Sequence, residues 1–334
     1  MKALVLEELK QPLQLQERPD PQPGPGELVV RLEAAALNRR DYWITQGLYP
    51  GTTTPVVPGS DGAGVVSAIG EGVDPGLEGT KVLVKPSKGW GDDPQAQGSD
   101  FEVLGMPADG TFATHLLTTP GQLLERPAHL SAQEAAALPI AALTAWRALF
   151  TQGKLQAGQR VLITGIGGGV ALFCAQFAIA AGAEVYVTSS SEEKISRVVE
   201  MGARGGINYR DENWAKEFRV RHGQAHLIVD GAGGKDYAKL LDLARTAGRI
   251  VNYGSTAGAP GHLDLFRLFW KQLRIIGSTL GTAEELEEML EFISSHQLHP
   301  VIDSTYALED GNQALDCMKK HQQFGKLVLD CTES

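Results

Sequence analysis

A glycine-rich turn is the stretch whose residue types point most directly to chemistry. Residues 161–173 read VLITGIGGGVALF, so four glycines separate two apolar runs. Glycine is costly in regular elements and is found where the backbone takes unusual angles or a ligand approaches it closely. A strand that ends at Thr164 and a helix that begins at about Gly169 would bring backbone N–H groups and the positive end of a helix dipole to one point. We predict that Gly168 and Gly169 let a pyrophosphate approach that point.

The end of the next apolar strand indicates which dinucleotide would bind. The segment EVYVTSSSEEK carries Ser190 and Ser191 at the strand end and Lys194 one turn into the following helix. A carboxylate at this place would bind the ribose hydroxyls, whereas hydroxyls and an ammonium suit a 2′-phosphate. Tyr209, after the third strand, would close the same pocket. We therefore predict NADPH rather than NADH. The alternative is that Lys194 is only a solvated helix residue paired with its neighbouring glutamates.

Three other interpretations of the glycine turn fail on spacing. TGIGGGVA is also similar to the motif of short-chain dehydrogenases, but none of the seven tyrosines is followed by a lysine four residues later. No G-x4-G-K-[ST] and no G-x-S-x-G occurs in the chain. A P-loop NTPase and a nucleophile-elbow hydrolase therefore both lack the residues that their chemistry needs.

The chain around the turn has the pattern of a doubly wound α/β domain. A capping box of Ser131 and Glu134 opens a helix, after which strand and helix patterns alternate. Helical-period runs join six strand candidates, RVLIT, EVYVTS, GGINY, HLIVDG, RIVNYG and LRIIGS. Six strands with helical crossovers predict a six-stranded parallel Rossmann sheet in a nucleotide-binding domain over residues 126–279.

The two ends of the chain have a different character. Residues 1–125 contain short β-rich runs between glycines and prolines, which predicts a mostly antiparallel, partly barrel-like domain. A long polar loop interrupts it at 85–110. Residues 280–334 add two helices and a closing strand, GKLVLDC, which are too few for a separate domain. We expect this tail to complete the N-terminal domain.

Bulk composition excludes several classes of function. The chain has 334 residues and a formal net charge of −10, which argues against a surface that binds nucleic acid or anionic lipid. Its three cysteines are far apart and form no C-x-x-C pair, so we predict neither a disulfide framework nor a structural zinc site. The N-terminus lacks the order of a secretory signal, and no apolar segment is long enough to cross a bilayer. We expect a soluble, cytoplasmic protein.

Five blocks of sequence resemble the medium-chain dehydrogenase/reductase superfamily, and most of all its zinc-independent quinone oxidoreductase branch, which includes zeta-crystallin. They follow the family's order and spacing over nearly the whole chain: AAALNRRDYWITQGLYP, PGSDGAGVVSAIGEGV, AAALPIAALTAW, TGIGGGVALF and INYRDE. The resemblance implies a Rossmann domain inserted in a GroES-like catalytic domain, with the active site in the cleft. It also implies a homodimer in which LRIIGSTL pairs with its copy.

The resemblance also bears on metal binding. Zinc-containing relatives hold a catalytic metal with a cysteine in the block that here reads ALNRRD and a histidine in the block that here reads GSD, so Asn38 and Ser60 stand in their places. The loop at 85–110, where such relatives carry four structural cysteines, contains none. We therefore predict no metal. A lone carboxylate such as Asp61 is interpreted as a hydrogen-bonding structural group.

The resemblance implies hydride delivery from NADPH to an electrophilic acceptor, because no Lewis acid would be present to ionise an alcohol. A quinone or an α,β-unsaturated carbonyl qualifies, and negative charge then develops on its oxygen. By position in the matched motif, Asn38 is the predicted donor to that oxygen. Tyr42 and Tyr49 are predicted to line the pocket and to donate the proton, and Trp43 to form an apolar wall. The alternative for each aromatic residue is simple packing.

Carried over residue by residue, the resemblance implies a cofactor-binding set at the carboxyl ends of the strands and in the tail. This set comprises Thr144, Gly168, Gly169, Val170, Ser190, Ser191, Lys194, Tyr209, Asn252, Tyr253, Ser255, Ser278, Thr279, Leu280, Gly281, Phe324 and Lys326. Phe324 and Lys326 are expected to close the adenosine side.

Two other functions stay open at this stage. One is an NADPH-binding protein with little turnover and a structural or regulatory role. The other is an enoyl-thioester reductase of the acryloyl-CoA type, which would need a basic channel for the CoA phosphate, with Arg39 and Arg40 as the candidates near the site.

Overall fold

The computed structural model describes residues 1–332, which form two compact units. The terminal unit consists of Met1–Ile140 together with the described residues from Thr282 onward, and the central unit is Ala141–Gly281. Sequence analysis placed the first boundary at residue 125. The structure places it after Ile140, because the helix Ala132–Ala136 packs on strands of the terminal unit.

The terminal unit is built mainly from strands. They are β1 (Lys2–Val5), β2 (Gln14–Glu17), β3 (Leu28–Ala36), β4 (Asp61–Ile69), β5 (Lys81–Val84), β6 (Ser87–Lys88), β7 (Glu102–Val103), β8 (His115–Thr118), β9 (Leu123–Glu125), β16 (Ile302–Ala307) and β17 (Lys326–Asp330). Its helices are α1 (Arg39–Thr45), α2 (Ala132–Ala136), α9 (Ala283–Ser295) and α10 (Gly311–Lys319), while α3 (Pro139–Trp146) begins here and continues into the central unit.

The central unit alternates strands and helices. Its strands are β10 (Arg160–Ile163), β11 (Glu184–Ser189), β12 (Gly205–Asn208), β13 (Ala225–Asp230), β14 (Ala244–Asn252) and β15 (Arg274–Gly277). Its helices are α4 (Gly169–Ala180), α5 (Glu192–Glu200), α6 (Trp214–His222), α7 (Tyr237–Leu243) and α8 (Leu265–Trp270).

The central sheet has the strand order β12-β11-β10-β13-β14-β15, and every pairing is parallel. The order reverses at β10, as in a doubly wound Rossmann sheet. The six-stranded parallel sheet predicted from the sequence is therefore confirmed. One boundary differs, because the segment ARTAG continues β14 instead of the preceding helix.

The terminal sheet has the order β16-β17-β3-β4-β5-β9, and β8 also pairs with β3. All its pairings are antiparallel except that of β16 with β17. β17 lies against β3, so the tail supplies two strands of this sheet. The mostly antiparallel sheet predicted from the sequence is confirmed. Sequence analysis missed β16, which lies at the sheet edge and alternates between half-buried and exposed residues.

Each unit has its own apolar core. In the terminal unit, residues such as Leu28, Val30 and Leu32 of β3 pack with Leu327 and Leu329 of β17. In the central unit, Leu162, Ile228 and Ile250 from three adjacent strands pack with residues of α6 and α7. Across residues 1–332, no helix is both long and apolar enough to span a membrane.

Candidate active site

Three polar side chains meet where β3 ends and β4 and β17 begin. Asp61 opens β4 and pairs with Ala36, the last residue of β3, from one side. On the other side Ala36 pairs with Val328, so that Lys326 lies opposite Asn38, the residue that precedes α1. The sheet register therefore brings Asn38, Asp61 and Lys326 together from three distant parts of the chain.

These three side chains form a closed, buried set of hydrogen bonds. The Lys326 ammonium donates to Asn38 Oδ1 at 2.8 Å and to Asp61 Oδ2 at 3.0 Å. Asn38 Nδ2 donates to the same Asp61 Oδ2 at 2.8 Å, and the Ile140 backbone N–H donates to Asp61 Oδ1 at 2.9 Å. Lys326 is 3% exposed, Asp61 0% and Asn38 7%. Removing one partner from such a desolvated ion pair leaves an uncompensated charge.

The partners of Asn38 fix the orientation of its side-chain amide. An ammonium can only donate hydrogen bonds and a carboxylate can only accept them. The amide oxygen must therefore face Lys326 and the amide nitrogen must face Asp61. Of the two N–H groups on Nδ2, one donates to Asp61, and within residues 1–332 the second has no acceptor. Asn38 thus keeps one donor available for a ligand.

A second buried charged pair lies on the first turn of α1. Arg40 donates to the Leu104 carbonyl at 2.7 Å and to the Ser60 hydroxyl, and its guanidinium lies 4.9 Å from the centre of the Tyr49 ring. Asp41 accepts from the Asn38 backbone N–H at 2.7 Å and is fully buried. Burial raises the pKa of Asp41 to about 6, against the opposing effect of Arg40. The cluster of Asn38, Arg40, Asp41, Asp61 and Lys326 therefore contains one carboxyl group, that of Asp41, whose pKa lies close to neutral pH.

The aromatic residues that sequence analysis assigned to the substrate pocket lie beside this cluster in the chain. Tyr42 and Tyr49 are half-buried and pack against the core of the terminal unit. Trp43 is also half-buried, with its ring centre 5.3 Å from that of Tyr42. No acceptor or donor for either tyrosine hydroxyl is found within residues 1–332. Their predicted roles in catalysis stay predictions.

The glycine turn of the central unit has an open backbone. Gly165 and Gly167 have φ angles of 66° and 124°, which favour glycine, and Gly168 caps α4, which begins at Gly169. A Cβ on Gly168 would meet no atom within 4 Å, so the first turn of α4 is accessible. This turn offers the accessible N–H groups of a phosphate cradle. The predicted strand–turn–helix geometry is confirmed, and contact of Val170 with phosphate stays a prediction.

The residues predicted to hold a 2′-phosphate converge on this turn. A Cβ on Gly167 would lie 2.9 Å from Cδ and 3.2 Å from Nζ of Lys194, so the lysine side chain crosses the turn. The Ser191 hydroxyl caps α5 by accepting from the Lys194 backbone N–H at 3.3 Å. The Ser190 carbonyl accepts from Asn208, and the N–H of Tyr209, whose side chain is 40% exposed, donates to Ser189. The structure therefore places the Lys194 ammonium at the glycine turn, and a 2′-phosphate contact with Ser190, Ser191 and Tyr209 stays a prediction.

Comparisons with known proteins agree with this architecture. The family model for the alcohol dehydrogenase GroES-like domain matches residues 24–128, and the model for zinc-binding dehydrogenase matches residues 169–295. A protein of Leptosphaeria maculans named zinc-type alcohol dehydrogenase-like protein YogA is 37% identical over 96% of this chain and 94% of its own. The chain belongs to the medium-chain dehydrogenase/reductase superfamily. It is therefore an oxidoreductase, and the resemblance found in the sequence is confirmed at superfamily level.

Two further relatives bear on the chemistry. A solved structure described as an NAD-dependent alcohol dehydrogenase superposes with a TM-score of 0.93 at 33% identity, covering 99% of both chains. An acryloyl-coenzyme A reductase of Sulfurisphaera tokodaii is 28% identical over 98% of this chain and 99% of its own. A dehydrogenase described as NAD-dependent thus shares the whole length of this fold.

The positions at which zinc-containing members hold their metal are now defined by contacts. Asn38 is bound to Lys326 and Asp61, and Ser60 donates to the Leu104 carbonyl at 2.7 Å while accepting from Arg40. In the described part of the chain, no group of three or more His, Cys, Asp or Glu residues could hold a metal ion.

Two residues assigned to the cofactor lie inside the terminal unit. Sequence analysis placed Phe324 and Lys326 at the adenosine side, but they are 2% and 3% exposed. The Phe324 backbone N–H donates to Asp303 at 2.7 Å, and the Lys326 ammonium is bound to Asn38 and Asp61. The structure therefore places Lys326 against Asn38, the residue predicted to contact the substrate oxygen. No sequence motif predicted the contact between Lys326 and Asn38.

The carboxyl ends of β13 and β14 carry a buried network that sequence analysis did not identify. Asp230 accepts from the Thr164 hydroxyl at 2.5 Å and from Asn252 Nδ2 at 3.0 Å, and Asn252 Oδ1 accepts from Tyr237 at 2.6 Å. Thr164, Asp230, Tyr237 and Asn252 therefore hold one another at this sheet edge, and the predicted contact of Asn252 with a cofactor stays a prediction. The aspartate that precedes the glycine of HLIVDG was the available signal.

Most of the other predicted cofactor residues follow β14 and β15 in the chain. The Tyr253 ring covers Gly231, where a Cβ would come within 2.4 Å of it, and the Ser255 hydroxyl donates to the Gly258 carbonyl at 2.7 Å. After β15, Ser278 donates its backbone N–H to Asn252 at 2.8 Å. The remaining members are Thr144, which is 7% exposed in α3, Thr279, which is exposed, and Leu280 and Gly281, which are buried. Their contacts with a cofactor stay predictions.

Proposed function

We propose that this oxidoreductase reduces a quinone or an α,β-unsaturated carbonyl compound with NADPH and without a metal ion. The observation that carries the proposal is the buried ammonium of Lys326, held by Asn38 and Asp61. This ammonium contacts Asn38, which stands at the position where zinc-containing relatives carry a cysteine that binds their metal.

The donor set around Asn38 does not fit zinc. Zinc in proteins takes thiolate, imidazole or carboxylate ligands at about 2.0–2.3 Å. Here the Asp61 oxygen that accepts from the Asn38 amide also accepts from an ammonium 3.0 Å away, so a divalent ion bound to that oxygen would be repelled by Lys326. Ser60 is committed to Arg40 and Leu104. We derive no catalytic step through a metal.

The chain's own groups suit reduction better than alcohol oxidation. A bound reduced nicotinamide supplies a hydride, and the acceptor oxygen then gains negative charge. A preorganised N–H donor in a site that excludes water stabilises such charge. The free N–H of Asn38 meets this requirement, and its donor strength is increased because the same amide's oxygen is bound to an ammonium. Tyr42 and Tyr49 remain the proposed proton donors.

The preference for NADPH rests on residues of the central unit. Lys194 crosses the glycine turn, and Ser190, Ser191 and Tyr209 lie beside it. An ammonium with neighbouring hydroxyls provides charge-assisted hydrogen bonds to a phosphate dianion. One solved relative is described as NAD-dependent, so membership of the family does not decide between NADH and NADPH. The preference for NADPH is therefore inferred from the residues of this pocket.

We also propose a homodimer that forms through the free edge of the central sheet. β15 is the terminal strand of that sheet, and the preceding helix α8 exposes several large apolar side chains. Its residues Leu265, Phe266, Phe269 and Trp270 are 62–70% exposed. An unpaired apolar edge with an exposed aromatic patch is a typical association surface.

An enoyl-thioester reductase is the second candidate, and the acryloyl-coenzyme A reductase relative favours it. The chain offers limited support for a CoA-phosphate channel. Arg40 is 9% exposed and bound to Leu104 and Ser60, so it is committed inside the unit. Arg39 remains half-buried, with its guanidinium 3.1 Å from His321 Nδ1.

An acceptor panel tests these proposals. Purified protein is given NADPH or NADH with small quinones, enones and enoyl-CoA thioesters, and oxidation is followed at the absorbance band of the reduced cofactor. In the reverse direction, NADP⁺ or NAD⁺ is supplied with primary and secondary alcohols. We expect turnover with NADPH and a quinone or enone. Faster turnover with the thioester would favour the second candidate, alcohol oxidation that zinc stimulates would refute the metal-free proposal, and tight NADPH binding without turnover would indicate a binding protein.

A further inference from the structure

We propose that Lys326 is a positioning residue for Asn38: its ammonium fixes the orientation of the Asn38 amide, so that one N–H stays available to the substrate oxygen. This inference rests on the proposed reduction of a carbonyl acceptor, and it assigns to Lys326 a role that differs from cofactor binding.

The backbone around Lys326 is built to place this side chain. Gly325 has a φ of 129°, and a Cβ on it would lie 2.4 Å from the Val301 carbonyl oxygen, so only glycine fits before the lysine. Next to it, the Leu37 backbone N–H donates to the Leu327 carbonyl at 2.9 Å, which locks the register of the two chain segments. The backbone is therefore fixed both before and after Lys326, and this determines where its side chain begins.

The ammonium holds the oxygen end of the Asn38 amide, whereas Asp61 holds only the nitrogen end. With Lys326 present, Asn38 has a donor on its oxygen and an acceptor on its nitrogen, and turning the amide by 180° would break both bonds. Without the ammonium, the oxygen of Asn38 has no side-chain donor in the described part of the chain. The amide would then sample other rotamers, and a donor displaced from its productive geometry stabilises a developing oxyanion poorly.

An ion pair that serves only stability would make a different prediction. Loss of the ammonium would leave Asp61 buried and unpaired, and the protein would be less stable, but turnover per folded molecule would be unchanged. The two roles can be separated, because stability can be restored by neutralising Asp61 without restoring the ammonium.

The experiment compares Lys326→Met, Asp61→Asn/Lys326→Met and Asn38→Ala with the unmodified protein. Lys85→Met is the control, since Lys85 lies in the same unit 3.9 Å from Glu287. With whichever acceptor the unmodified protein reduces, we expect Lys326→Met to lower kcat at least about tenfold and to leave the KM for NADPH within about twofold. In the double variant we expect stability to recover and kcat to stay low, because the neutral pair accepts either orientation of Asn38. Adding Lys326→Met to Asn38→Ala should cause no further loss.

Recovery of kcat together with stability in the double variant would overturn the inference. So would a Lys326→Met variant whose only change is a higher KM for NADPH. A measurement without turnover keeps the test independent of the proposed function. The chain has five asparagines, so ¹⁵N-asparagine labelling gives few side-chain NH₂ signals, and the one lost in Asn38→Ala is that of Asn38. We expect this signal to broaden or shift in Lys326→Met and in the double variant but not in Lys85→Met. An unchanged signal would refute the positioning role even if no acceptor were found.

Discussion

Asp41 allows a quantitative test of the electrostatics of this cluster. Its pKa is raised from 3.8 to about 6, chiefly by burial, and one of its oxygens, Oδ1, has no hydrogen-bond partner. The folded protein therefore holds this proton up to about pH 6, whereas the unfolded chain releases it near pH 3.8. Stability that comes from this group is present at low pH and is lost as the pH rises through that window.

The magnitude follows from the size of the shift. A difference of about 2 pKa units corresponds to about 3 kcal/mol over the whole window. Between pH 5 and pH 8 the unfolded chain is already ionised, so only the native titration near pH 6 contributes, and the loss is about 1.4 kcal/mol. We expect Asp41→Asn, which can still accept from the Asn38 backbone N–H, to lack this loss.

Urea unfolding at pH 5 and at pH 8, at one fixed protein concentration, measures the effect. The quantity of interest is the change with pH in the difference between the free energies of unfolding of the unmodified protein and Asp41→Asn. Any constant offset from the new amide cancels in this difference. Glu288→Gln is the control, because Glu288 is exposed. A pH-independent difference for Asp41→Asn, or one in which the unmodified protein gains stability toward pH 8, would refute a raised pKa at this site.

Two further changes test the cofactor pocket and the association surface. Lys194→Ala should weaken NADPH binding about ten- to a hundredfold, the value of a charge-assisted hydrogen bond, and should change NADH binding less than about twofold. Titration calorimetry measures both affinities, with Lys216→Ala as the exposed control. Equal losses for both cofactors would show that Lys194 does not bind the 2′-phosphate. Phe269→Glu should convert a dimer to a monomer in multi-angle light scattering, whereas Val220→Glu, at a residue 79% exposed on α6, should not; a dimer that survives Phe269→Glu would exclude α8 from the interface.

The parts of this molecule that could be predicted from the sequence are those with local periodicity. The turn from β10 into α4 is written in consecutive residues, as a strand, a run of glycines and an apolar helix. The alternation of strands and helices over the central unit likewise repeats at short range. These patterns can be recognised in the sequence because each depends only on residues within about one helix or strand.

The contacts of Lys326 could not be predicted in this way. The lysine is 265 positions from Asp61 and 288 from Asn38, and they meet only because β17 pairs with β3 on the side opposite β4. In the sequence, Lys326 stands in an ordinary closing strand, GKLVLDC, and its charge suggests an exposed or cofactor-binding residue. The strand order, and not the local pattern, makes it a buried partner of Asn38.

The same three-strand arrangement places a positive charge beside the Asn38 side chain. The ends of β3, β4 and β17 converge through the strand order, so the residue at the start of β17 lies beside Asn38 and Asp61. In this chain Lys326 supplies that charge, as an ammonium held by the chain itself, and Asp61 balances it. An ammonium has no vacant coordination site and cannot ionise an alcohol as a Lewis acid does. It can orient and polarise a neighbouring amide, which is enough for an acceptor whose carbon is already electrophilic. We therefore propose that the residue at the start of β17 contributes to which reactions this site catalyses.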